Sequence, residues 1–136
     1  MATKEEIINF LKTDFPQAKC IVEKVGEQSS IVKQQIGFEQ MRPGGTVAGP
    51  VLMAVADYAL YVAILGEIGI VSLTVTTNMT INFMRKPIST IAIIGECNLL
   101  KVGKTLVVGE VSLYSEGDPK PVAHVVGTYS IPKKTN

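Results

Sequence analysis

The spacing of hydrophobic and polar residues changes several times along the chain, and each change marks a predicted element. Apolar residues at helical spacing follow Thr3 and Glu6, which form a capping-box pattern, so residues 3 to about 14 are predicted to be a short amphipathic helix. Two β-like stretches, 18–25 and 29–37, follow and are separated by a polar turn. The N-terminal part of the chain therefore predicts one helix, with bounds of 1–15, and a hairpin.

A second helix is predicted over 49–66, after a loop that spans 38–48. Its first turn contains Pro50, whose missing N–H removes no hydrogen bond at a helix start. Apolar residues surround this segment on all sides, which is typical of a central helix rather than a surface helix. Asp57 is the one charged residue between Pro50 and Leu65.

Beyond Gly69 the period becomes two, which is the period of a β-strand. One predicted face carries Leu73, Val75, Thr77, Met79, Ile81 and Phe83, and the other carries Thr74, Thr76, Asn78, Thr80 and Asn82. Three further strands are predicted at 90–101, 105–115 and 121–131, with turns between them.

The lengths of these elements favour one architecture. A helix of about 17 residues is ~26 Å long, and strands of ten residues span ~33 Å, which is longer than most strands in globular proteins. A long antiparallel sheet that curls along one apolar helix would bury that helix on most sides. We therefore predict an α+β protein with the hotdog fold, as a single domain over 1–136.

Composition and charge narrow the classes of function. Apolar residues make up 46% and charged residues 18% of 136 residues, and the net charge of +1 does not favour nucleic acid as a partner. The N-terminus does not resemble a secretory signal, and the apolar run around Asp57 is too short for a membrane span. Cys20 and Cys97 lie far apart in a chain with a single histidine, His124. We expect free thiols, a cytoplasmic location and no metal site, although the sequence leaves a disulfide open.

Asp57 is the strongest candidate for chemistry, because an unpaired carboxylate in apolar surroundings is costly. One interpretation is structural: a neighbouring Thr or Asn satisfies it. The other is functional, since the N–H groups at the start of the same helix can polarise a carbonyl. Asp57 lies eight residues beyond Gly49, or ~12 Å along the axis at 1.5 Å per residue. Both groups can act on one carbonyl only if a second subunit contributes one of them.

Several segments resemble motifs of one family. Gly49-Pro-Val-Leu-Met-Ala-Val-Ala-Asp57 resembles the motif His-Gly-Gly-x-x-x-x-Leu-x-Asp of hotdog-fold acyl-CoA thioesterases of the PaaI-like group. Thr80-Ile-Asn-Phe-Met-Arg-Lys-Pro87 resembles the strand motif of that group that ends in Asn-Phe-Leu-Arg-Pro. Segments 101–104 and 122–128 resemble its last two hairpin segments. The resemblance extends over nearly the whole chain beyond residue 18.

The resemblance implies a role for three residues. Asp57 would be the catalytic carboxylate, acting as nucleophile or general base, and the Gly49 N–H would polarise the thioester carbonyl. Thr76 would help to orient the attacking water. The resemblance also implies a homodimer or homotetramer with the site at the dimer interface, and no cofactor beyond the coenzyme A of the substrate.

Three positions depart from the pattern of the group, and we expect them to affect substrate binding. Ala48 replaces the histidine of His-Gly-Gly, Pro50 replaces its second glycine, and Arg42 replaces an upstream asparagine. Proline has no N–H, so Pro50 adds no donor to an oxyanion hole. Arg42 is either a surface charge or a contact for an anionic group.

Basic residues near strand ends are candidates for binding the phosphates of coenzyme A. They are Arg85, Lys86 and Lys104, with Lys101 beside them. The alternative is that they are ordinary solvent-exposed charges.

The sequence therefore predicts an acyl-CoA thioesterase that hydrolyses a small-to-medium acyl or aryl thioester. A non-catalytic acyl-CoA-binding hotdog protein is the first alternative. A hotdog dehydratase or hydratase is the second, and it would need a catalytic histidine, whereas His124 lies far from the helix motif.

Overall fold

The computed structural model describes residues 1–37, 40–42, 46–88 and 91–133, and the bounds below refer to these residues. The helices are α1 (Lys4–Asp14) and α2 (Gly49–Ile68). The strands are β1 (Ile21–Gly26), β2 (Ser29–Gln34), β3 (Met41–Arg42), β4 (Thr46–Val47), β5 (Val75–Phe83), β6 (Ile93–Val102), β7 (Leu106–Ser115) and β8 (Ala123–Ser130).

Six strands form one antiparallel sheet in the order β1-β2-β6-β7-β8-β5, and β3 pairs with β4 in a separate two-stranded ribbon. Helix α2 packs across one face of the large sheet, where it contacts β1, β2, β6, β7 and β8. The buried core lies between this helix and the sheet. The structure thus confirms the predicted α+β hotdog architecture.

Helix α2 is the central element, and its observed bounds extend the predicted 49–66 by two residues. It is long and apolar enough to cross a membrane by composition alone, but 67% of its apolar window is buried inside the protein. It ends at Gly69, which has a φ of 93° and donates its N–H to the Leu65 carbonyl over 2.9 Å. Glycine suits this position because it adopts positive φ without strain.

Two glycines let the sheet approach the helix closely. Gly109 and Gly127 are direct neighbours on β7 and β8, and both face Leu60 of α2. A Cβ atom added to Gly109 would lie 2.7 Å from a Leu60 methyl carbon, and one added to Gly127 would lie 2.6 Å from the other. Leu60 is fully buried, so it cannot move away from either strand.

The N-terminal helix has the predicted cap. Glu6 donates its N–H to Thr3 Oγ1 over 3.2 Å, and Thr3 donates its N–H to Glu6 Oε1 over 3.1 Å. The predicted strand over 18–25 is wrong at its start, since β1 begins at Ile21. Its partner β2 ends at Gln34, which is opposite Cys20 in this register, so residues 15–19 have no neighbouring strand in the sheet.

Other predicted bounds need smaller corrections. The second strand ends at Gln34 rather than at residue 37, and the predicted loop 38–48 contains β3 and β4. Gly44 and Gly45 of that loop lie outside the described residues. The last three strands begin or end within about three residues of the predictions.

The predicted faces of the strand after Gly69 are wrong because β5 contains a bulge. The register with β8 shifts between Thr76, which opposes Tyr129, and Asn78, which opposes Thr128, so that Thr77 is the extra residue. A bulge moves later residues to the other face. Thr76 therefore shares the helix-facing side of the sheet with Met79, whereas strict alternation places them on opposite sides.

Packing at the paired glycines yields a prediction for stability. We expect Gly127→Ala to lower the free energy of unfolding by about 1–3 kcal/mol, because the new methyl group overpacks the site of Leu60. Gly37→Ala is the control, since its Cβ would meet only the flexible Gln40 side chain, at 3.4 Å. Urea denaturation of both variants gives the comparison. Equal stabilities would contradict the close packing described here.

Candidate active site

The Asp57 carboxylate lies half-buried on α2 and is held by two strands. Thr76 of β5 donates its hydroxyl to Asp57 Oδ1 over 2.5 Å, and the Tyr129 hydroxyl of β8 lies 2.6 Å from the same oxygen. Tyr129 also lies 2.9 Å from the Asp57 backbone carbonyl oxygen. Thr76 and Tyr129 are direct cross-strand partners, so the register of β5 on β8 brings both hydroxyls to one carboxylate.

Tyr129 is the site residue that the sequence predictions missed. Burial and the neighbouring Asp57 carboxylate raise the pKa of its phenol, so it is a neutral donor. Its ring stacks on Tyr61, with centroids 6.1 Å apart. The sequence held one signal for it: Tyr129 continues the alternation of Ala123 and Val125, which places a polar tip on the helix-facing side of a buried strand.

These three residues are part of the lining of a cavity of about 660 Å³. Aromatic side chains form much of its wall: Phe15 lies 6.4 Å from Tyr58 and 6.5 Å from Tyr61 between ring centroids. The irregular segment 15–20 closes one side. A mostly apolar cavity that contains a hydrogen-bonded carboxylate is suited to an apolar small molecule with a polar group at the carboxylate.

Burial keeps two of the titratable side chains that line this cavity, Cys20 and Tyr58, neutral. Burial raises the pKa of the Cys20 thiol to about 12, and it raises the pKa of the Tyr58 phenol to about 12 as well. The Cys20 thiol lies 3.5 Å from Gln34 Oε1. A protonated thiol is a poor nucleophile, so Cys20 acts as part of the wall.

Gly49 begins α2 at the other end of the predicted motif. Within the described part of the chain its N–H has no hydrogen-bond partner, and the Ala48 cap makes no side-chain hydrogen bond. Pro50 occupies the first turn, as predicted. A Cβ added to Gly49 would lie 3.4 Å from the Phe83 ring, which places the helix start beside the end of β5. Because α2 is one continuous helix, Gly49 and Asp57 of the same subunit are ~12 Å apart along its axis.

The predicted basic residues are all exposed, and the structure does not bring them to the cavity. Arg42 lies on β3. Arg85 and Lys86 follow the end of β5, where Arg85 donates Nε–H to the Pro121 carbonyl over 3.0 Å. Lys104 lies in the turn between β6 and β7, at the end of the sheet where β5 begins.

His124 lies away from the cavity. Its neighbour across the strand pair is Ser112, and its Nε2 lies 3.1 Å from Glu110 Oε1. This pair is partly exposed, and neither residue contacts Asp57.

Comparisons with known proteins agree on fold and family. The model of the thioesterase superfamily matches residues 44–122. A candidate thioesterase from Silicibacter sp. TM1040 is 38% identical in sequence, with a TM-score of 0.89 over 96% of this chain and 92% of the other. A search of curated proteins found no match.

Two more distant structures share the fold. The PaaI protein of the phenylacetic acid degradation operon of E. coli has a TM-score of 0.82 at 18% identity, over 94% of this chain and 92% of the other. A hypothetical thioesterase from Streptococcus pneumoniae TIGR4, crystallised with coenzyme A, has a TM-score of 0.79 at 15% identity, over 95% and 99%.

The shared hydrogen bonds of Asp57 yield a second prediction. In a double-mutant cycle of Asp57→Ala and Tyr129→Phe, we expect a coupling free energy of about 1.5–3 kcal/mol, as for hydrogen bonds to charged groups. In Asp57→Ala, the Tyr129 hydroxyl can still bond the backbone carbonyl of residue 57. The double-mutant cycle cancels that contribution, so the coupling free energy reports the side-chain hydrogen bond alone. Stability in urea is the measurement. Tyr61→Phe is the control, because its hydroxyl bonds Ser72 instead, over 3.2 Å, and its coupling to Asp57→Ala should be below about 0.5 kcal/mol.

Proposed function

The chain belongs to the thioesterase superfamily, and we propose that it hydrolyses a small-to-medium acyl or aryl thioester of coenzyme A to the free acid and coenzyme A. The observation that carries the proposal is the Asp57 carboxylate, held by two hydroxyl donors at the end of a largely apolar cavity. A carboxylate at this place can activate water or attack a thioester.

The hydrogen bonds of Asp57 assign different tasks to its two oxygens. Thr76 and Tyr129 both bond Oδ1, which fixes the plane of the carboxylate. Oδ2 then either takes the proton of an attacking water or attacks the thioester carbonyl carbon itself. When Oδ2 takes the proton of water, the hydroxyl adds to the carbonyl carbon, the carbon–sulfur bond breaks and the proton passes to the sulfur of coenzyme A. When Oδ2 attacks instead, the carbon–sulfur bond breaks to give a mixed anhydride and the thiolate of coenzyme A; water then cleaves the anhydride, which releases the free acid, restores the Asp57 carboxylate and supplies the proton of the thiol. Thr76 additionally orients the water.

The developing negative charge on the carbonyl oxygen needs a donor, and we assign this role to the Gly49 N–H. It lies at the start of α2, where N–H groups without intrahelical partners and the helix dipole favour an anion. The Gly49 N–H and Asp57 of one subunit are ~12 Å apart along the helix. The complete site therefore requires two subunits.

The position of β5 supports this dimer. It is an edge strand of nine residues, and its terminal residues Val75 and Phe83 are 54% and 56% exposed. An open edge with exposed apolar residues favours pairing with a second strand. In a two-fold antiparallel pairing of β5 with its copy, the Thr76 end of one strand meets the Phe83 end of the other. Since Phe83 contacts Gly49, this pairing brings Gly49 of one subunit towards Asp57 of its partner.

Basic residues around the dimer would bind the phosphates of coenzyme A. Arg42, Arg85, Lys86 and Lys104 are exposed and can contribute, and the relative from Streptococcus pneumoniae was crystallised with coenzyme A. The described cysteines, Cys20 and Cys97, are free thiols, which suits a cytoplasmic enzyme. A homotetramer is compatible with the same site.

A non-catalytic acyl-CoA-binding protein is the second candidate function. Ala48 and Pro50 favour it, because neither side chain donates a hydrogen bond and Pro50 has no N–H. The site then has one backbone donor at the helix start where the PaaI-like pattern has a histidine beside two glycines. Both functions predict that the protein binds acyl-CoA, but only the thioesterase predicts turnover.

The first test measures release of coenzyme A from a panel of acetyl, straight-chain and aryl thioesters. We expect turnover by the wild type and a fall in kcat of about 10²–10⁴-fold in Asp57→Asn. Binding of the best substrate should persist, as measured by calorimetry. Binding without release by the wild type would establish the second candidate, and unchanged turnover in Asp57→Asn would rule out the mechanism.

A second test asks whether the site spans two subunits. Gly49→Pro removes the proposed donor, and Ala48 already has an extended ψ of 139°, which suits a residue that precedes proline. We expect a loss of about 10²–10³-fold in kcat. Gly49→Ala is the control, because it keeps the N–H.

Mixing the two inactive variants should then restore activity. When Gly49→Pro and Asp57→Asn are unfolded and refolded together, half of the dimers are mixed, and each has one intact site of two. We expect about 25% of the wild-type activity. Refolding each variant alone is the control, and a mixture as inactive as its components would exclude a site shared between subunits.

A further inference from the structure

A second cavity, of about 340 Å³, lies directly beside the first, beneath helix α1. Its wall consists mainly of apolar side chains from α1, β1 and the segment between them: Ile8, Leu11, Pro16, Ile21 and Val22. Three residues, Ala18, Cys20 and Tyr58, line both cavities, so they form the partition between them.

Tyr58 is the large member of this partition. It follows Asp57 directly on α2, and its ring meets Phe15 edge to face at a centroid distance of 6.4 Å. Ala18 and Cys20 are small, so they fill little of the space between the cavities. The ring of Tyr58 therefore accounts for most of the barrier.

We propose that Tyr58 sets the length of the acyl group that the site accepts, by closing the main cavity against the chamber beneath α1. This rests on the proposed function, which places the thioester carbonyl at Asp57. An acyl chain that extends from there along the aromatic wall ends at Tyr58. The substrates of the wild type are then acyl groups that fit in front of the ring, and longer straight chains are excluded by it.

The surroundings of the chamber agree with an apolar occupant. Apart from Lys12, its lining side chains carry no formal charge at neutral pH, and Leu11 and Val22 are buried. Burial of each methylene group contributes about 0.8 kcal/mol, equivalent to about a fourfold gain in affinity. Opening the chamber would therefore increase the affinity for acyl chains by about fourfold for each additional methylene group that it buries.

The test compares Tyr58→Ala with the wild type on straight-chain acyl-CoA substrates from two to fourteen carbons. We expect the preferred length, from kcat/KM, to increase by about four carbons, with a gain of about fourfold for each methylene newly buried. Tyr58→Phe keeps the ring and should keep the wild-type preference.

A double variant distinguishes an opened chamber from a generally loosened site. Ala18→Leu places a larger side chain in the same partition, so Tyr58→Ala with Ala18→Leu should return the preference towards shorter chains. Thermal unfolding confirms that the variants are folded. An unchanged length preference in folded Tyr58→Ala, or a shift that Ala18→Leu does not reverse, would overturn the inference.

Failure of the proposed function would give a different result. In that case the wild type releases no coenzyme A from any substrate, and the length preference is measured as affinity in calorimetry with the same series. A shift of affinity towards longer chains in Tyr58→Ala would still support the chamber, and an unchanged affinity profile would overturn it.

Discussion

The structure depends on how one carboxylate is accommodated within an otherwise apolar helix. Helix α2 packs its apolar side chains against one face of the sheet, and Asp57 is compensated by hydroxyls from β5 and β8. Those hydroxyls reach the same oxygen because Thr76 and Tyr129 are cross-strand partners. The register of the edge strand, the bulge at Thr77 and the position of the carboxylate are thus parts of one arrangement.

That arrangement places the chemistry at the margin of the core. Leu60 is clamped between Gly109 and Gly127 one turn beyond Asp57, which fixes the helix against the sheet. Asp57 then lies where β5 ends the sheet and the cavity opens. Two neutral donors fix the orientation of this half-buried carboxylate, and a fixed orientation at the proposed reacting group is what a preorganised site requires.

Much of this could be predicted from the sequence, for physical reasons. The all-apolar segment with a single charge identified the central helix and Asp57, and the long alternating stretches identified the sheet. Two features could not be derived. The bulge at Thr77 changes faces without any change in residue pattern, and Tyr129 reaches Asp57 through the packing of β8 on α2, with Thr76 brought beside it by the register of β5 on β8. Hydrogen bonds between distant segments depend on register, which local periodicity does not determine.

The cavity wall is a further feature that local periodicity did not predict correctly. Residues 15–20 were predicted to be partly strand, yet they lie outside the sheet and close the cavity beside Tyr58. A segment free of the hydrogen-bond ladder can change sequence without disturbing the sheet, whereas Asp57 and its partners are tied to it. Under the proposed function, the fold separates two tasks: the sheet and α2 hold the carboxylate, and the segment between α1 and β1 shapes the space for the acyl group. Differences in substrate among proteins of this fold can then arise at the wall while the carboxylate stays in place.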